Sequence, residues 1–432
     1  MEILEYKREN VNEIVKRSQN DVNNVLDIVS DILKDVKEYG DSAIEKYTEK
    51  FDKVRIDALE LKVSKEEIEN SYSNLDDSLI NAIEKAAANI KKFHNNQIPK
   101  QWSMEISKGI DAGQIIRPIN SVGCYIPGGR AAYPSTILMT VIPAKIAGVK
   151  KIICCSPPQE NGKIMDAILV AADIAGADEI YKVGGSQAIG AMAYGTKTIP
   201  KVEKIVGPGN IFVTGAKKLV YGEVDIEFPA GPSEVLILGD ETANPEYIAH
   251  DILSQAEHDP NASCFLVTED EKLAKKTKEK IEELEKLAIR KEIIEESLNK
   301  YGKIILTNSL EESIELANEY APEHLILMVK EKNENKILKE IKNAGSIFLG
   351  NYSPVAAGDY GSGTNHVLPT AGGAKMYSGL STESFLKKPT FQKLTKEGLK
   401  SLEDVIVPLA EYEGFHAHAD SVKVRLNRLN KE

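Results

Sequence analysis

The sequence predicts an α/β fold with parallel sheets, and two observations support this. From Pro118 to about Gly239 the chain is rich in Gly, Ala, Val, Ile and Pro, and short apolar runs alternate with helical patterns. Within this region Ala144–Ile153 resembles Ala172–Tyr181, and each joins a helix end and a capping Gly to the start of a strand. Two successive units of this kind predict parallel strands joined by right-handed crossovers.

The N-terminal part of the chain is predicted to be helical. From Asn10 to about Lys100 apolar residues recur at helical spacing among charges, as they do between Val22 and Val36. A further helix is predicted from Leu75 onward. His94 falls on a polar stretch of this region, so we interpret it as a solvated surface residue.

Strands are predicted where short apolar runs adjoin loops that contain Gly or Pro. In chain order they are 152–156, 179–183, 204–206, 235–238, 264–267, 303–306, 325–329 and 346–349. Between 244 and 343 the chain returns to long charged helices, which include 271–286 and 310–320. The last strand leads into a polar, Gly-rich loop, 358–366. After Thr382 the pattern is amphipathic, and its basic end, 423–431, is interpreted as a packed helix or an exchanged arm.

Three Gly-bearing loops adjoin the central strands, at 184–187, 207–210 and 231–234. Open α/β sheets bind ligands in the crevice at the carboxyl ends of their strands, so we expect a ligand near such loops. The dinucleotide fingerprint GxGxxG is absent, because Gly207-Pro208-Gly209 is followed by Asn, Ile and Phe. The loops therefore indicate a ligand site without identifying the ligand.

Size and charge narrow the class of protein. A chain of 432 residues exceeds what a single hydrophobic core usually supports, so two principal domains are expected. A formal charge of −12 and a pI near 5.3 disfavour a nucleic-acid partner. The N-terminus lacks the apolar core of a signal peptide, and no apolar run approaches the length of a bilayer span, so we expect a cytoplasmic location and no membrane partner. The four cysteines lack metal or disulfide spacing and are predicted to be reduced.

Five of the seven histidines fall in short polar clusters with Gln, Asp and Glu. The clusters are 255–258, 323–324, 358–366 and 413–418, whereas His250 lies off the apolar face of its helix and is assigned to the surface. Imidazole and carboxylate groups together act as metal ligands or as general acids and bases. The pattern therefore predicts one polar site assembled from distant segments, and an enzyme with a metal.

Each cluster also has a purely structural interpretation. Gln255 and His258 lie on one face of a helix end, where a cationic His is favoured by the helix dipole, and for this cluster alone that interpretation is preferred. Glu323-His324 could be an ordinary polar junction between a helix and a strand. Glu413 to His418 could be a His-rich surface turn. The Gly-rich loop is harder to explain without a function, because its glycines let the backbone pass close to a ligand.

Seven motifs in order along the chain resemble the histidinol dehydrogenase family. They are Pro127–Gly129, Gly184–Ile189, Gly207–Asn210, Pro229–Glu234, Leu253–His258, Pro322–Leu325 and Gly361–Thr370. The resemblance covers almost the whole length. It implies oxidation of L-histidinol to L-histidine through the aldehyde, with reduction of two NAD in succession, at the end of histidine biosynthesis.

The resemblance also implies roles for individual residues. Zinc would be held by Gln255, His258, Asp359 and His418, a donor set that suits Zn²⁺ and leaves room for substrate. His324 would take the hydroxyl proton, and Glu323 would activate the water that hydrates the aldehyde. The same four ligands and this pair would also contact substrate. Further substrate contacts are implied for Ser233, His366 and Glu413, and NAD contacts for Tyr125, Gln187 and Asn210.

For the fold, the resemblance implies two incomplete Rossmann-like domains with small helical extensions at both termini. The expected divisions are an N-terminal arm (1–22), a first α/β domain (23–120 with 235–322), a second Rossmann-like domain (121–234 with 323–381) and a C-terminal extension (382–432). The extension would be exchanged in a homodimer, so that Glu413 and His418 come from the other subunit. A small departure from the family is Ala321, where Gly often precedes Pro-Glu-His.

Three other functions remain open at this point. A related zinc- and NAD-dependent dehydrogenase of another small alcohol would share most of the scaffold, and Glu413 with His366 would discriminate it. A zinc hydrolase could use Glu323 and a metal to activate water without NAD. A metal-binding protein without catalysis would melt at lower temperature on chelation and convert nothing.

Overall fold

The structure is a computed structural model that describes residues 1–15, 22–128, 132–228 and 230–427. Gly129 and Pro229, which belong to two of the motifs above, and the end of the basic tail lie outside these residues. The chain divides into two compact units. The first unit contains residues 1–97 and 120–384, and the second contains residues 98–119 and 385–432.

The strands confirm the predicted ones to within one residue at each end and add several that were not predicted. In chain order they are β1 (Glu2–Glu5), β2 (Trp102–Ser107), β3 (Ile110–Gln114), β4 (Arg117–Pro118), β5 (Ser121–Tyr125), β6 (Lys151–Ser156), β7 (Glu179–Lys182), β8 (Lys204–Val206), β9 (Asp225–Ile226), β10 (Glu234–Gly239), β11 (Ser263–Thr268), β12 (Gly302–Leu306), β13 (His324–Met328), β14 (Ser346–Leu349), β15 (Leu386–Lys387) and β16 (Thr390–Leu394).

Helices separate most of these strands. In chain order they are α1 (Val11–Ile14), α2 (Leu26–Tyr39), α3 (Asp41–Asp52), α4 (Lys65–Ser73), α5 (Asp77–Asn95), α6 (Pro134–Ala147), α7 (Asp166–Ala175), α8 (Gly185–Tyr194), α9 (Ile211–Val220), α10 (Pro245–Ala256), α11 (Glu271–Glu285), α12 (Lys291–Tyr301), α13 (Leu310–Tyr320), α14 (Glu331–Glu340), α15 (Val355–Tyr360), α16 (Lys396–Lys400), α17 (Glu403–Tyr412) and α18 (His416–Arg425).

The first unit contains a five-stranded parallel sheet in the order β7-β6-β5-β8-β9. The repeat noted in the sequence forms the helix-to-strand connections α6–β6 and α7–β7. Gly148 and Gly176 end these helices at φ 89° and 87°, a left-handed conformation that favours glycine. The predicted parallel strands and capping glycines are confirmed.

The N-terminal helices pack on this five-stranded sheet. The apolar faces of α2 and α3 share one core with strands β5 to β8 and with helices α8 and α9. This packing differs from the predicted grouping of 23–120 with 235–322. An amphipathic pattern shows that one helix face is buried but does not identify the sheet that covers it.

The second sheet of this unit has six parallel strands in the order β1-β12-β11-β10-β13-β14. Along β10 the side chains alternate between two cores, with Val235 and Ile237 in one and Leu236 and Leu238 in the other. The sheet is therefore covered on both faces, which explains the continuous apolar runs of its strands. Residues 324–349 contribute two strands to it, although 323–381 were assigned to the other domain. The predicted N-terminal arm supplies the edge strand β1.

The second unit was incompletely predicted. Its three-stranded antiparallel sheet has the order β16-β3-β2, and β15 pairs with β4. The hairpin at 102–114 therefore belongs with the C-terminal segment, which the sequence analysis had treated as a helical extension starting at 382. Helices α16 to α18 complete the unit. Of the basic segment 423–431, which was interpreted as a packed helix or an exchanged arm, residues 423–425 form the end of α18 and residues 426–427 form a turn.

Three further local predictions need correction or explanation. His94 is fully buried, because α5 packs on α6. Its Nδ1 lies 2.6 Å from Gln97 Oε1. The loop expected at 358–366 begins as the last turn of α15. Ala321 ends α13 at φ 51°, a left-handed conformation in which a glycine would be unstrained.

Candidate functional site

A cavity of about 270 Å³ in the first unit gathers most of the predicted site residues. Seven of them line it, and they come from the ends of β10, α10, β13 and α15 and from the loop after α15. They are Ser233, Gln255, His258, Glu323, His324, Asp359 and His366. Residues more than a hundred positions apart therefore converge, as the distribution of histidines predicted.

The start of β13 holds Glu323 and His324 against the start of β10. Val235 and His324 are partners in the parallel pairing of the two strands. The backbone N–H of Glu234 donates to Glu323 Oε2 at 2.8 Å, and His324 Nδ1 lies 3.1 Å from the Glu234 carbonyl oxygen. Because a carbonyl only accepts, Nδ1 must carry the proton, and Nε2 is left with its lone pair. His324 Nε2 is buried and contacts no hydrogen-bond partner.

Burial controls the charge of this pair. Glu323 and His324 are both buried, with 5% and 4% of their surface exposed. Desolvation lowers the pKa of His324 to about 3, with the Glu234 hydrogen bond acting in the opposite direction. Desolvation also raises the pKa of Glu323 well above its usual value, although the Glu234 N–H acts to lower it. At neutral pH His324 is therefore a neutral imidazole, and burial makes the Glu323 carboxylate a stronger base than a solvated one.

Asp359 and His366 form the opposite side of the site. Asp359 Oδ1 lies 3.9 Å from His324 Nε2, and its backbone oxygen lies 3.2 Å from His366 Nδ1. Desolvation alone raises the pKa of Asp359 to about 7, and burial lowers the pKa of His366 to about 4. Nδ1 of His366 therefore carries the proton, and its Nε2 lies 3.4 Å from the hydroxyl of Thr136.

Gln255 and His258 enter the cavity from the end of α10. Gln255 is 2% exposed in the last helical turn, and the His258 N–H donates to its backbone oxygen at 3.2 Å. The helix ends at Ala256, four residues before Pro260. His250 is exposed on α10, as expected for a residue off this face.

The cavity residues were tested for their fit to a metal ion. Within the described parts of the chain, no three His, Cys, Asp or Glu side chains are grouped so that they could hold a metal by themselves. The predicted set includes only two such side chains in the cavity, His258 and Asp359, and its third donor there is the amide of Gln255. One imidazole nitrogen and two oxygens suit Zn²⁺, and a buried carboxylate whose pKa is raised by desolvation alone would be stabilised by a cation. The donors therefore fit the metal.

Glu413 and His418 belong to the second unit. Glu413 follows α17, while His416 and His418 lie in the first turn of α18, where a His-rich surface turn had been considered. All three are exposed. The first unit by itself thus contains three of the four predicted zinc ligands.

The predicted cofactor residues lie at the carboxyl edge of the five-stranded sheet. Tyr125 ends β5, Gln187 is in the first turn of α8, and Asn210 precedes α9. The strand order turns from β5 toward β6 on one side and β8 on the other, so Tyr125 and Asn210 flank the switch point where such sheets bind ligands. The absence of GxGxxG is therefore compatible with a ligand at this position.

Two details at this edge indicate a ligand. Gln187 is 1% exposed, and neither atom of its amide contacts a hydrogen-bond partner, which is unfavourable for a buried polar group. The hydroxyl of Tyr125 accepts from the Gly185 N–H at 3.1 Å, and burial raises its pKa to about 12. Asn210 Oδ1 caps α9 by accepting from the N–H groups of Phe212 and Val213, so only its amide nitrogen is available to a ligand. These features fit a polar cofactor such as a dinucleotide.

A buried ion pair that was not predicted from the sequence lies beside this edge. Lys217 Nζ lies 2.6 Å from Glu227 Oε1, and both side chains are 2% exposed. The sequence pattern does place Lys217 on the buried face of α9, because it lies four residues after Val213 and three before Val220. A lysine within a buried stripe requires a partner, and the pattern alone does not identify it.

The chain is similar to known proteins over nearly its whole length. Residues 15–426 match the model of the family described as histidinol dehydrogenase. The histidinol dehydrogenase of Methanothermobacter thermautotrophicus is 59% identical, with 99% of each chain covered. That of Clostridium acetobutylicum is 50% identical, with 93% of this chain and 92% of its own covered. A crystal structure of the histidinol dehydrogenase from Elizabethkingia anophelis matches with a TM-score of 0.95 at 44% identity, covering 100% of this chain and 99% of that one.

Proposed function

The chain belongs to the histidinol dehydrogenase family, and from this premise we propose that it oxidises L-histidinol to L-histidine through the aldehyde, using Zn²⁺ and NAD. This reaction is the end of histidine biosynthesis. One observation carries most weight within the site. A neutral His324, whose Nε2 has no partner, lies beside a buried Glu323 in a cavity lined by further polar groups. The same cavity is large enough for a small amino alcohol.

His324 is suited to accept the proton of the alcohol. Its Nδ1–H is held by the Glu234 carbonyl, so the lone pair of Nε2 is available to the substrate hydroxyl as a hydride leaves the adjacent carbon. The Asp359 carboxylate, 3.9 Å from Nε2, favours the imidazolium formed in this step. One hydride and one proton leave the alcohol, which becomes the aldehyde.

Glu323 is suited to the second stage. Burial raises its pKa, which makes the carboxylate a stronger base, and the Glu234 N–H fixes the position of Oε2. It would take a proton from the water that adds to the aldehyde. The resulting gem-diol then loses a second hydride and its remaining protons to give the carboxylate. The alcohol thus loses four electrons in total, as two hydrides.

Gln255, His258, Asp359 and His418 would hold the zinc. Bound zinc would act as a template that orients the amino alcohol and polarises its oxygen. Ser233, His366 and Glu413 would contact the substrate, together with these ligands and the reactive pair. His366 is fixed for such a contact by its Nδ1 hydrogen bond to the Asp359 backbone.

Tyr125, Gln187 and Asn210 would contact NAD. The amide of Gln187 would gain the partners that it lacks in the chain alone, and the N-termini of α8 and α9 favour phosphate groups. NAD held by these residues would supply the hydride acceptor. These residues lie at the switch point of the sheet, which supports a dinucleotide despite the absent fingerprint.

The assembly is part of the same proposal. A homodimer in which Glu413 and His418 come from the second subunit would complete the zinc and substrate sites. We also propose a cytoplasmic location. Among the helices of the described residues, none has the length and apolar character needed to cross a membrane.

The direct test is the absorbance of NADH formed from L-histidinol and NAD, measured with and without a chelator. We expect activity that chelation abolishes and added Zn²⁺ restores. Turnover of other small alcohols at equal efficiency would favour a related dehydrogenase. Hydrolytic turnover in NAD-free solution would contradict the proposal. A dilution series tests the dimer, because a fully active monomer would exclude ligands supplied by a partner.

A further inference from the structure

The buried pair of Lys217 and Glu227 is bonded to the backbone of one glycine. Lys217 Nζ donates to the Gly207 carbonyl oxygen at 2.9 Å and to Glu227 Oε1 at 2.6 Å. The same Oε1 accepts from the Gly207 N–H at 3.0 Å. Both polar groups of Gly207 are therefore held by one ion pair, which lies on α9 and on the segment after β9.

Gly207 needs such support because its conformation is unusual. Its φ is 119°, and a Cβ at this position would lie 2.0 Å from the Tyr125 carbonyl oxygen. It begins the loop Gly207–Asn210 at the switch point of the five-stranded sheet. The ion pair thus holds the backbone of the first residue of this loop, directly after β8.

Stability alone does not explain a buried ion pair. Replacing such a pair by apolar side chains is often neutral or stabilising, because desolvation of two charges offsets their attraction. Here one carboxylate oxygen remains unused, since Glu227 Oε2 is buried and contacts no hydrogen-bond donor. Glu227 also lines the cavity that contains Glu323 and His324. A buried carboxylate oxygen beside a ligand cavity is suited to accept a hydrogen bond from the ligand.

We propose that Glu227 positions the nicotinamide half of the dinucleotide, with Oε1 fixing the Gly207 loop and Oε2 accepting a hydrogen bond from the cofactor. This inference rests on the proposed use of NAD. Hydride transfer requires the nicotinamide to reach the cavity that Glu227 lines. The nicotinamide half of NAD offers two kinds of hydrogen-bond donor, the carboxamide N–H and the ribose hydroxyls. A carboxylate oxygen can accept from either.

Glu227→Gln separates the two roles of the side chain. Lys217 and the Gly207 N–H are both donors, so the amide oxygen must face them and the amide nitrogen takes the place of Oε2. The amide oxygen keeps both contacts to the loop, while the unpaired acceptor Oε2 is replaced by a donor. The matched control is Glu223→Gln, because Glu223 pairs with Lys201 on the surface at 45% exposure.

The experiment measures NAD binding to the whole enzyme by calorimetry, without turnover. We expect the Kd for NAD to rise at least about tenfold in Glu227→Gln and to stay unchanged in Glu223→Gln. The Kd for L-histidinol should remain that of wild type, whereas general damage to the fold would weaken both ligands. The double variant Lys217→Met/Glu227→Gln leaves no unpaired buried charge and should show the same rise.

An NAD analogue identifies the donor. In 3-acetylpyridine adenine dinucleotide a methyl group replaces the amide nitrogen. If the carboxamide is the donor, wild type and Glu227→Gln will bind this analogue equally; a persisting difference assigns the contact to a ribose hydroxyl. An NAD Kd within about twofold of wild type in either folded variant overturns the inference. Failure of the wild-type enzyme to bind NAD would instead contradict the proposed function.

Discussion

In the five-stranded sheet the candidate cofactor residues lie at the carboxyl ends of the strands, whereas in the six-stranded sheet the reactive pair lies at the amino ends. Tyr125 is the last residue of β5, but His324 is the first residue of β13, and Ser233 immediately precedes β10. The general rule for open α/β sheets therefore describes one sheet of this unit and not the other.

The carboxyl edge of the six-stranded sheet also has a cavity, of about 550 Å³, but its charge differs. Asp240, Glu241, Glu269, Asp270 and Glu271 line it with only two lysines, Lys272 and Lys330. A phosphate group would be repelled there, whereas the edge at Gly207 presents backbone, an amide and helix N-termini. Of the carboxyl edges of these two parallel sheets, the edge at Gly207 is therefore the better suited to a dinucleotide.

The largest effect is expected from breaking the amino-edge site alone. His324→Gln should lower the rate of alcohol oxidation by roughly 10²- to 10⁴-fold, because the group that accepts the proton is lost. Zinc content and the Kd for NAD should stay at wild-type values, because the proposed base, the zinc ligands and the NAD contacts are different residues. Stopped-flow kinetics and metal analysis measure these quantities. The control is His250→Gln on the exposed face of α10. Equal loss of zinc would contradict the assigned role.

Glu323→Gln tests whether Glu323 and His324, at the same edge, serve different stages of the reaction. The amide oxygen can still accept from the Glu234 N–H, but the side chain can no longer take a proton. Oxidation of L-histidinal should therefore slow by about 10²-fold or more, and oxidation of the alcohol should slow less. Single-turnover rates with each substrate make the comparison. Comparable damage to both stages would remove the role in hydration.

At the carboxyl edge, Gln187→Met should have opposite effects on stability and on cofactor binding. The buried amide has no partners in the chain alone, so an apolar side chain of similar shape should stabilise the NAD-free enzyme by about 1–3 kcal/mol. NAD affinity should fall about tenfold or more, while L-histidinol affinity is retained. Chemical denaturation and calorimetry provide the two readings, with the exposed Gln159→Met as control. A variant that is less stable without NAD would show that the amide is already satisfied.

The smallest effect is expected at the acidic edge. Burial first, and then the carboxylate of Glu311, raise the pKa of Glu269 above its usual value. The folded state thus binds the proton more tightly than the unfolded chain, and stability is lost as pH rises from the unfolded pKa through the folded one. Glu269→Gln should therefore stabilise by less than about 1 kcal/mol at pH 7 and by nothing below about pH 4, because the site is largely solvated. Denaturation midpoints at the two pH values test this, and a changed Kd for NAD would contradict the contrast between the edges.

Much of the secondary structure and of the candidate site could be predicted from local sequence pattern. The strand 204–206 and the helix 310–320 are found where periodicity placed them, because apolar spacing and terminal residues act within a few positions. The clusters at 255–258, 323–324 and 358–366 were also identified, because reactive side chains are rare enough for their grouping to be noticed. The packing of α2 and α3 on the five-stranded sheet could not be predicted in the same way, because an apolar face fits any apolar surface.

By itself the sequence determined the α/β class, the parallel strands, the motifs of the family and the side chains that we propose to carry the chemistry, because these depend on residue type and short spacing. Only the tertiary structure decided that His94 is buried, that Nε2 of His324 and the amide of Gln187 are without partners, and that Lys217 meets Glu227 at Gly207. Burial and hydrogen-bond satisfaction depend on residues brought from distant parts of the chain, and no local pattern encodes them.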